Sequence, residues 1–178
     1  QHGAPLRIVV PGWYGMASVK WLKKVEALTE PFLGFQQTQT YRFRQSADDE
    51  GQPVTSMRVK SLMVPPGVPD WISRIRCVKP GKITVNGRAW SGTGNKITRV
   101  EFGLDGNWEA AEILNQVGKF AWTGWRYQWD AKPGEHILQC RASDESGETQ
   151  PITPPWDFAG FGNNAVQSVT VFVEDQHC

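Results

Sequence analysis

The 178-residue chain is poor in cysteine, has no long apolar run and carries almost no excess charge. Cys77, Cys140 and Cys178 are too few and too scattered for a disulfide framework. No Cys or His/Cys cluster has the spacing of a metal site. No stretch of 18 or more apolar residues occurs, which excludes a membrane-spanning helix. No membrane partner is expected. A formal net charge of +1 lacks the basic balance of a dedicated nucleic-acid binder, so no nucleic acid is expected either. The first residue is Gln1, with neither an initiator Met nor an export signal. That is expected of a processed chain or of part of a longer one, and it leaves the compartment open.

What is present is tryptophan. Nine residues, about 5% of the chain, are Trp. This aromatic content argues against disorder. Gly and Pro number 18 and 12, about 17% together, against a usual total of about 12%. Between these punctuators the dominant hydrophobic period is two. Leu6–Val10 is a short apolar run. Ser56–Val64, Lys82–Trp90, Lys96–Leu104, Ile137–Ala142 and Val166–Glu174 alternate or nearly so. Pro65-Pro66-Gly67, Pro80-Gly81, Asp105-Gly106-Asn107 and Pro133-Gly134 are turn signals between them. Short strands with such turns predict an all-β sandwich. Cys140, inside one apolar run, reads as a buried thiol acting as a small hydrophobe.

One segment departs from this period. Trp21, Val25 and Leu28 fall at i, i+4 and i+7, so Ser18–Leu28 is predicted as a short helix that Ser18 could cap. Gln36–Gln52 is polar and turn-rich, and its acidic run Asp48-Asp49-Glu50 reads as a solvated loop. Charge divides unevenly: residues 1–60 hold 8 basic and 5 acidic residues, and the remainder 11 and 13.

The densest polar constellation lies at the N-terminus. His2-Gly3-Ala4-Pro5-Leu6-Arg7 is followed by an apolar run, Pro11-Gly12, Gly15 and then Ser18-Val19-Lys20-Trp21-Leu22. Arg offers a planar fork of donors and Lys a compact charge, both suited to an anion. On spacing alone, Arg7 and Lys20 read more readily as ordinary surface charges than as an anion site.

This string resembles the end of the molybdenum-cofactor domain of the sulfite oxidase superfamily, which also includes assimilatory nitrate reductases and bacterial sulfane dehydrogenases. Ala89-Trp90-Ser91-Gly92, Arg99-Val100-Glu101 and Leu104-Asp105-Gly106-Asn107-Trp108 resemble motifs of that family's C-terminal dimerisation domain. Pro155-Trp156-Asp157-Phe158-Ala159-Gly160 and Asn163-Asn164-Ala165 resemble its late signature. The resemblance spans roughly residues 2–173. It implies an Ig-like β-sandwich over about 56–174, preceded by the edge of an incomplete α+β molybdopterin domain over 1–55, with 175–178 as a tail. It also implies that His2, Arg7, Ser18, Val19 and Lys20 contact the pyranopterin, with Arg7 and Lys20 neutralising its anionic oxygens. The expected partners are a twin copy through the sandwich, a missing N-terminal molybdopterin domain, and a small anionic substrate in the parent enzyme.

Two departures qualify the resemblance. The family's molybdenum-ligating cysteine lies upstream of any motif here, so a chain that is silent alone and lacks its cofactor is expected. The late-signature Arg that helps bind sulfite in animal and plant enzymes is Ala159 here. Losing such a charge-assisted donor costs about 1.5–3 kcal/mol, so the substrate is not assigned as sulfite. Nitrate reductases also lack that Arg.

Trp125, Tyr127 and Trp129 share one face of a strand. They read as core or interface; the alternative is a sugar-stacking row of Trp122, Trp125, Tyr127 and Trp129. Asp105 and Asp130 read as turn residues. His136 reads as structural with no matched partner, and His177 as part of a frayed tail.

Overall fold

A computed structural model describes residues 2–175. Gln1, His177 and Cys178 lie outside the described residues, and with them most of the expected tail. The chain divides into two compact units. One is Gln1–Arg58 with Pro154–Asn163, and the other is Val59–Thr153 with Asn164–Cys178.

Regular structure is sparse in the first unit. The Leu6–Val10 run makes a single antiparallel bridge, Arg7 to Lys20, instead of a strand. A 3₁₀ turn covers Gly15–Ala17 and a π-helical turn Gln36–Thr40. Strand β1 (Arg42–Phe43) pairs antiparallel with β2 (Gln52–Pro53).

The helix predicted over Ser18–Leu28 does not form. Ser18 instead ends the 3₁₀ turn, its N–H donating to the Gly15 carbonyl at 3.1 Å. Val19–Leu22 then spend their backbone groups on the Leu6–Ile8 segment: Ile8 N–H donates to Val19 O at 3.1 Å and Leu22 N–H to Leu6 O at 3.0 Å. Trp21 sits at φ +51°, outside the helical region. The three residues that suggested a helical face are 60%, 73% and 56% exposed at Trp21, Val25 and Leu28. With no apolar face buried, periodicity alone does not sustain a short helix.

The second unit is an Ig-like β-sandwich. Its strands are β3 (Lys60–Val64), β4 (Val68–Pro69), β5 (Arg76–Val78), β6 (Gly81–Trp90), β7 (Ile97–Leu104), β8 (Asn107–Ala110), β9 (Glu112–Ile113), β10 (Thr123–Ala131), β11 (Gly134–Asp144) and β12 (Gln167–Val173). One sheet has the order β3-β6-β10-β9 and the other β4-β5-β12-β11-β7-β8. Every pair is antiparallel except β5 with β12.

Alternation explains why these residues form a sandwich. Along β11, Leu138, Cys140, Ala142 and Asp144 point inward while their neighbours do not. Val85, Gly87 and Ala89 do the same along β6. The core joins Met63, Val85, Trp125 and Trp129 of one sheet to Val100, Phe102, Leu138 and Val171 of the other. Each fully buried side chain of this kind stabilises the fold by about 1.5–3 kcal/mol. Trp125 lies opposite Gly87 in the register. A Cβ at Gly87 would stand 2.2 Å from the indole, so only glycine leaves room for that ring. Phe102 and Tyr127 stack between the sheets at 4.4 Å.

The turns follow their sequence signals. Asp105 and Gly106 both have positive φ, +51° and +85°, and join β7 to β8 by a two-residue hairpin. The recognised motifs hold the ends of the sandwich. Buried Asp144 accepts from Ser91 Oγ at 2.9 Å, Asn95 Nδ2 at 3.3 Å and Ser146 N at 3.0 Å. Asn164 Nδ2 donates to the Val59 carbonyl at 3.1 Å. Gln150 takes the Ser61 N–H at 2.7 Å and gives its own amide to Ala165 O at 2.9 Å.

Candidate functional site

The N-terminal motif folds into a small antiparallel patch in the first unit. Arg7 and Lys20 are directly opposite each other. Arg7 Nε donates to the Ser18 carbonyl at 3.1 Å, and Ser18 Oγ accepts the Val10 N–H at 3.3 Å. Val19 is tied to Ile8 through its carbonyl. Gly3 sits against Lys20, where a Cβ would lie 3.0 Å from the Lys20 Cβ, and its φ of +105° also favours glycine. Gly3 O accepts the Trp21 N–H at 3.2 Å, which holds the chain next to His2 beside the Arg7–Lys20 bridge. The chain thus brings all five expected residues, His2, Arg7, Ser18, Val19 and Lys20, to one patch. Ser18 is half-buried and the other four are exposed.

Directly opposed residues in an antiparallel pair project to the same side. Arg7 and Lys20 are therefore two cations side by side, and neither joins an ion pair among the described residues. Next to the patch runs an apolar cleft of about 480 Å³ lined by Trp13, Met16, Val19, Phe32, Tyr41 and Val54.

A second cationic group was not anticipated. Arg42 and Arg44 flank Phe43 of β1, and both line a cleft of about 490 Å³ that also holds Asp48, Asp49 and Glu50. Arg42 gives its guanidinium to the Glu50, Gly51 and Gln37 carbonyls. Arg44 donates to Thr38 O at 3.1 Å, while its buried Nε finds no acceptor. Asp49 accepts the Gln45 and Gly51 N–H groups, each at 2.8 Å. Those bonds hold its carboxyl below the usual carboxylate range against a small opposing effect of burial. Asp157 accepts the backbone N–H of Arg44 at 2.8 Å and those of Ala159 and Phe161 at 3.2 and 2.7 Å. Arg58 donates to Gly162 O at 3.0 Å and lies over the Phe43 ring. The late-signature loop, with Ala159 exposed on it, is thereby fastened to Arg44 and Arg58. The alternation Arg42-Phe43-Arg44 was the available signal; the side chains of both arginines bond to nearby carbonyls, but Asp157, which takes the Arg44 N–H, lies 113 residues away.

The remaining singled-out residues are structural. Trp125 and Trp129 are buried and Tyr127 points into the core, so these three form no exposed sugar platform. Burial and the Glu109 carboxylate, which accepts the Tyr127 hydroxyl at 2.7 Å, push the phenol up to about 12. Trp122 is exposed and stacks on Trp90 at 4.7 Å. Burial pushes the free Cys140 thiol up to about 11, while Cys77 is disulfide-bonded. His136, expected to lack a partner, has two: Nδ1 meets Asp105 Oδ2 at 2.7 Å and Nε2 meets Lys132 O at 2.9 Å. Among the described residues no group of three or more His, Cys, Asp or Glu could hold a metal ion.

The sandwich, its buried AWSG turn and late asparagine, and the basic patch of the first unit define a class: the pterin-molybdenum oxidoreductases of sulfite oxidase type. The chain belongs to the Mo-co oxidoreductase dimerisation domain family, which residues 52–174 match. Residues 1–36 match the oxidoreductase molybdopterin binding domain. Similar proteins include the mitochondrial sulfite oxidase of Macaca fascicularis, 32% identical over 97% of this chain and 34% of that one. The nitrate reductase [NADH] of Ulva prolifera is 31% identical over 93% of this chain and 21% of its own. Among solved structures, the sulfane dehydrogenase SoxCD of Paracoccus pantotrophus matches with a TM-score of 0.79 and 30% identity, covering 98% of this chain and 47% of that chain. The chain spans about a third of the length of the sulfite oxidases it matches.

Proposed function

We propose that this chain is the cofactor-edge and dimerisation portion of a molybdenum-dependent oxidoreductase that acts on a small sulfur or nitrogen oxoanion. The observation that carries this reading is the Arg7–Lys20 pair. Two like charges directly opposed across a bridge disfavour the folded patch. An anionic group between them offsets that repulsion, and no carboxylate of the described chain does so. The donor set thus fits the anionic end of a molybdopterin. Arg7 and Lys20 would hold its phosphate or pterin oxygens, and Ser18 would fix Arg7 through its carbonyl. Gly3 would leave the close approach that a side chain would fill, with His2 and Val19 completing the edge. When bound, the group supplies a molybdenum centre for oxygen-atom exchange and two-electron transfer. The chain's own residues bind and orient. The remaining walls come from polypeptide beyond these 178 residues.

Ala159 keeps the substrate anion open. The Arg expected there in animal and plant sulfite oxidases is absent, and Arg44 and Arg58 are the cations fastened to the same loop. Molybdenum analysis of the purified 178-residue chain tests the reading. Substoichiometric metal and no turnover are expected, and stoichiometric metal with turnover would overturn it.

A second reading is a dimerisation module without catalysis, favoured by the family to which residues 52–174 belong. The sandwich would pair with its twin by a two-fold, self-complementary contact. Light scattering at high concentration is expected to give a dimer, and a persistent monomer would remove this role.

A further inference from the structure

We propose that the β4–β5 turn of the sandwich docks on an anionic phospholipid surface, with Trp71 and Ile72 entering the interface and Arg74 and Arg76 taking the phosphate. This inference is independent of the cofactor reading. It departs from the expectation, drawn from the lack of a spanning segment, that no membrane partner exists. A peripheral contact needs no spanning segment.

The turn is built, not loose. Asp70 Oδ1 accepts the Ile72 N–H at 3.1 Å, the Ser73 N–H at 2.7 Å and the Ser73 hydroxyl at 2.7 Å. The backbone closes it twice more, Asp70 N to Ile75 O at 2.8 Å and Arg74 N to Asp70 O at 3.0 Å. This scaffold holds two large apolar side chains in solvent: Trp71 is 81% exposed and Ile72 94%. Neighbouring Val68, on the edge strand, is exposed as well. A pre-ordered turn presenting Trp and Ile loses little conformational entropy on docking.

The cleft beside the turn is cationic. Arg74, Arg76, Ser73, Ser168 and Thr170 line a cleft of about 280 Å³ whose walls carry no carboxylate. Neither arginine joins an ion pair among the described residues. Arg76 gives one nitrogen to Gly67 O at 3.2 Å, and Arg74 lies 5.9 Å from the Trp71 ring. Asp70, an acid of the turn itself, has turned one carboxylate oxygen onto its own turn. Two guanidinium groups beside hydroxyls suit a phosphate's oxygens. Trp belongs at the level of lipid headgroups, with cations just outside.

The shape favours lipid over a protein partner. A stable protein interface needs about 800 Å² per side from some 20–30 residues. Here the exposed apolar set at the turn is Trp71, Ile72 and Val68, which a bilayer accepts without a matching pocket.

Co-sedimentation of the full chain with vesicles tests this. Binding is expected to vesicles of equal phosphatidylcholine and phosphatidylglycerol, to be weak on phosphatidylcholine alone, and to fall with salt. Arg74→Asn with Arg76→Gln should weaken partitioning about fivefold per arginine; Asn suits the positive φ of +64° at Arg74. Trp71→Ala with Ile72→Ala should weaken vesicle binding while leaving inorganic phosphate binding unchanged. Unaltered near-UV circular dichroism in both double variants confirms that the fold survives. The proposal is overturned if neither vesicle binds, or if both double variants bind as the parent does. It is also overturned if only inorganic phosphate binds, which would mark a soluble-anion site. Capture of poly-glutamate as strong as vesicle binding and indifferent to Trp71 would mark an acidic-protein surface instead, and would equally overturn it.

Discussion

Arg7 and Lys20 face each other across a single antiparallel bridge, and Arg7 is locked there by the Ser18 carbonyl at 3.1 Å. The pair is a charge repulsion held in place by backbone bonds on either side. Its stability effect should therefore reverse with ligand. Lys20→Glu is expected to raise the stability of the isolated chain by about 0.2–1 kcal/mol by replacing a like pair with an opposite one. The same change should reduce the stabilisation that phosphate gives the parent. Thermal melts with and without phosphate, at low salt where such charges are least screened, read both effects. A destabilising Lys20→Glu would mean that the two side chains do not repel.

Gly87 and Trp125 give a packing prediction. Gly87→Ala drives a methyl to 2.2 Å from the indole of a fully buried Trp. Overpacking of this kind costs about 1–3 kcal/mol, and the inability of a mid-sheet backbone to move places this case at the upper end. Trp125→Ala removes the ring and should cost about 3–5 kcal/mol. Denaturant midpoints at unchanged slope would check both.

The Asp105–His136 pair gives a pH dependence. Both ring nitrogens of His136 meet acceptors, so the imidazolium is favoured. The hydrogen bond to Asp105 raises the His136 pKa against the opposing effect of burial. For Asp105, burial disfavours the charged form, but the bonds from His136 and the Ile137 N–H outweigh it and the pKa is lowered. The raised histidine contributes stability below its unfolded pKa of about 6.5, lost as pH rises through the folded value. The lowered aspartate contributes above its unfolded pKa of about 3.9, lost as pH falls through the folded value. The pair should thus help most between about pH 4 and 6.5. Both groups are partly exposed, so about 0.2–1 kcal/mol is expected. His136→Ala should flatten that part of the stability profile, and an unchanged profile would remove the pair as its source.

Cys140 gives a chemical prediction. Its thiol is buried and its pKa is pushed up to about 11, so almost no thiolate exists at neutral pH. Alkylation of Cys140 in the native chain should be slow and should follow unfolding as denaturant is added. Rapid labelling under native conditions would contradict its placement in the core.

The sandwich was legible because its strands alternate and its turns carry Pro, Gly and Asp. β6, β7, β11 and β12 fall within a few residues of the runs read from sequence. The Trp125/Tyr127/Trp129 face was legible for the same reason, since period two places all three inward. The segment after Ser18 was not. Its i, i+4, i+7 pattern is real, but the partner that claims its backbone, Leu6–Ile8, lies at the other side of a turn and has no mark in a local window. His136 lacked a visible partner because Asp105 is 31 residues away and meets it only across a strand pair. His2, Arg7, Ser18, Val19 and Lys20 were singled out by the resemblance of their motif, not by spacing alone, and their role at a cofactor is a proposal. The Arg44–Asp157 contact was not legible, its partners being 113 residues apart in the chain.

The central claim is that the first unit supplies one edge of a molybdopterin site that other polypeptide completes. The most direct measurement is molybdenum stoichiometry in a host that makes the cofactor, for two purified proteins. One is the 178-residue chain. The other is a chimera in which these residues replace the matching third of the Macaca fascicularis sulfite oxidase, with and without Arg7→Ala and Lys20→Ala. The account predicts little metal in the chain, near-stoichiometric metal in the chimera, and a marked loss in the double variant with its fold intact. Stoichiometric metal in the 178 residues alone, or a loaded chimera indifferent to both substitutions, would contradict it.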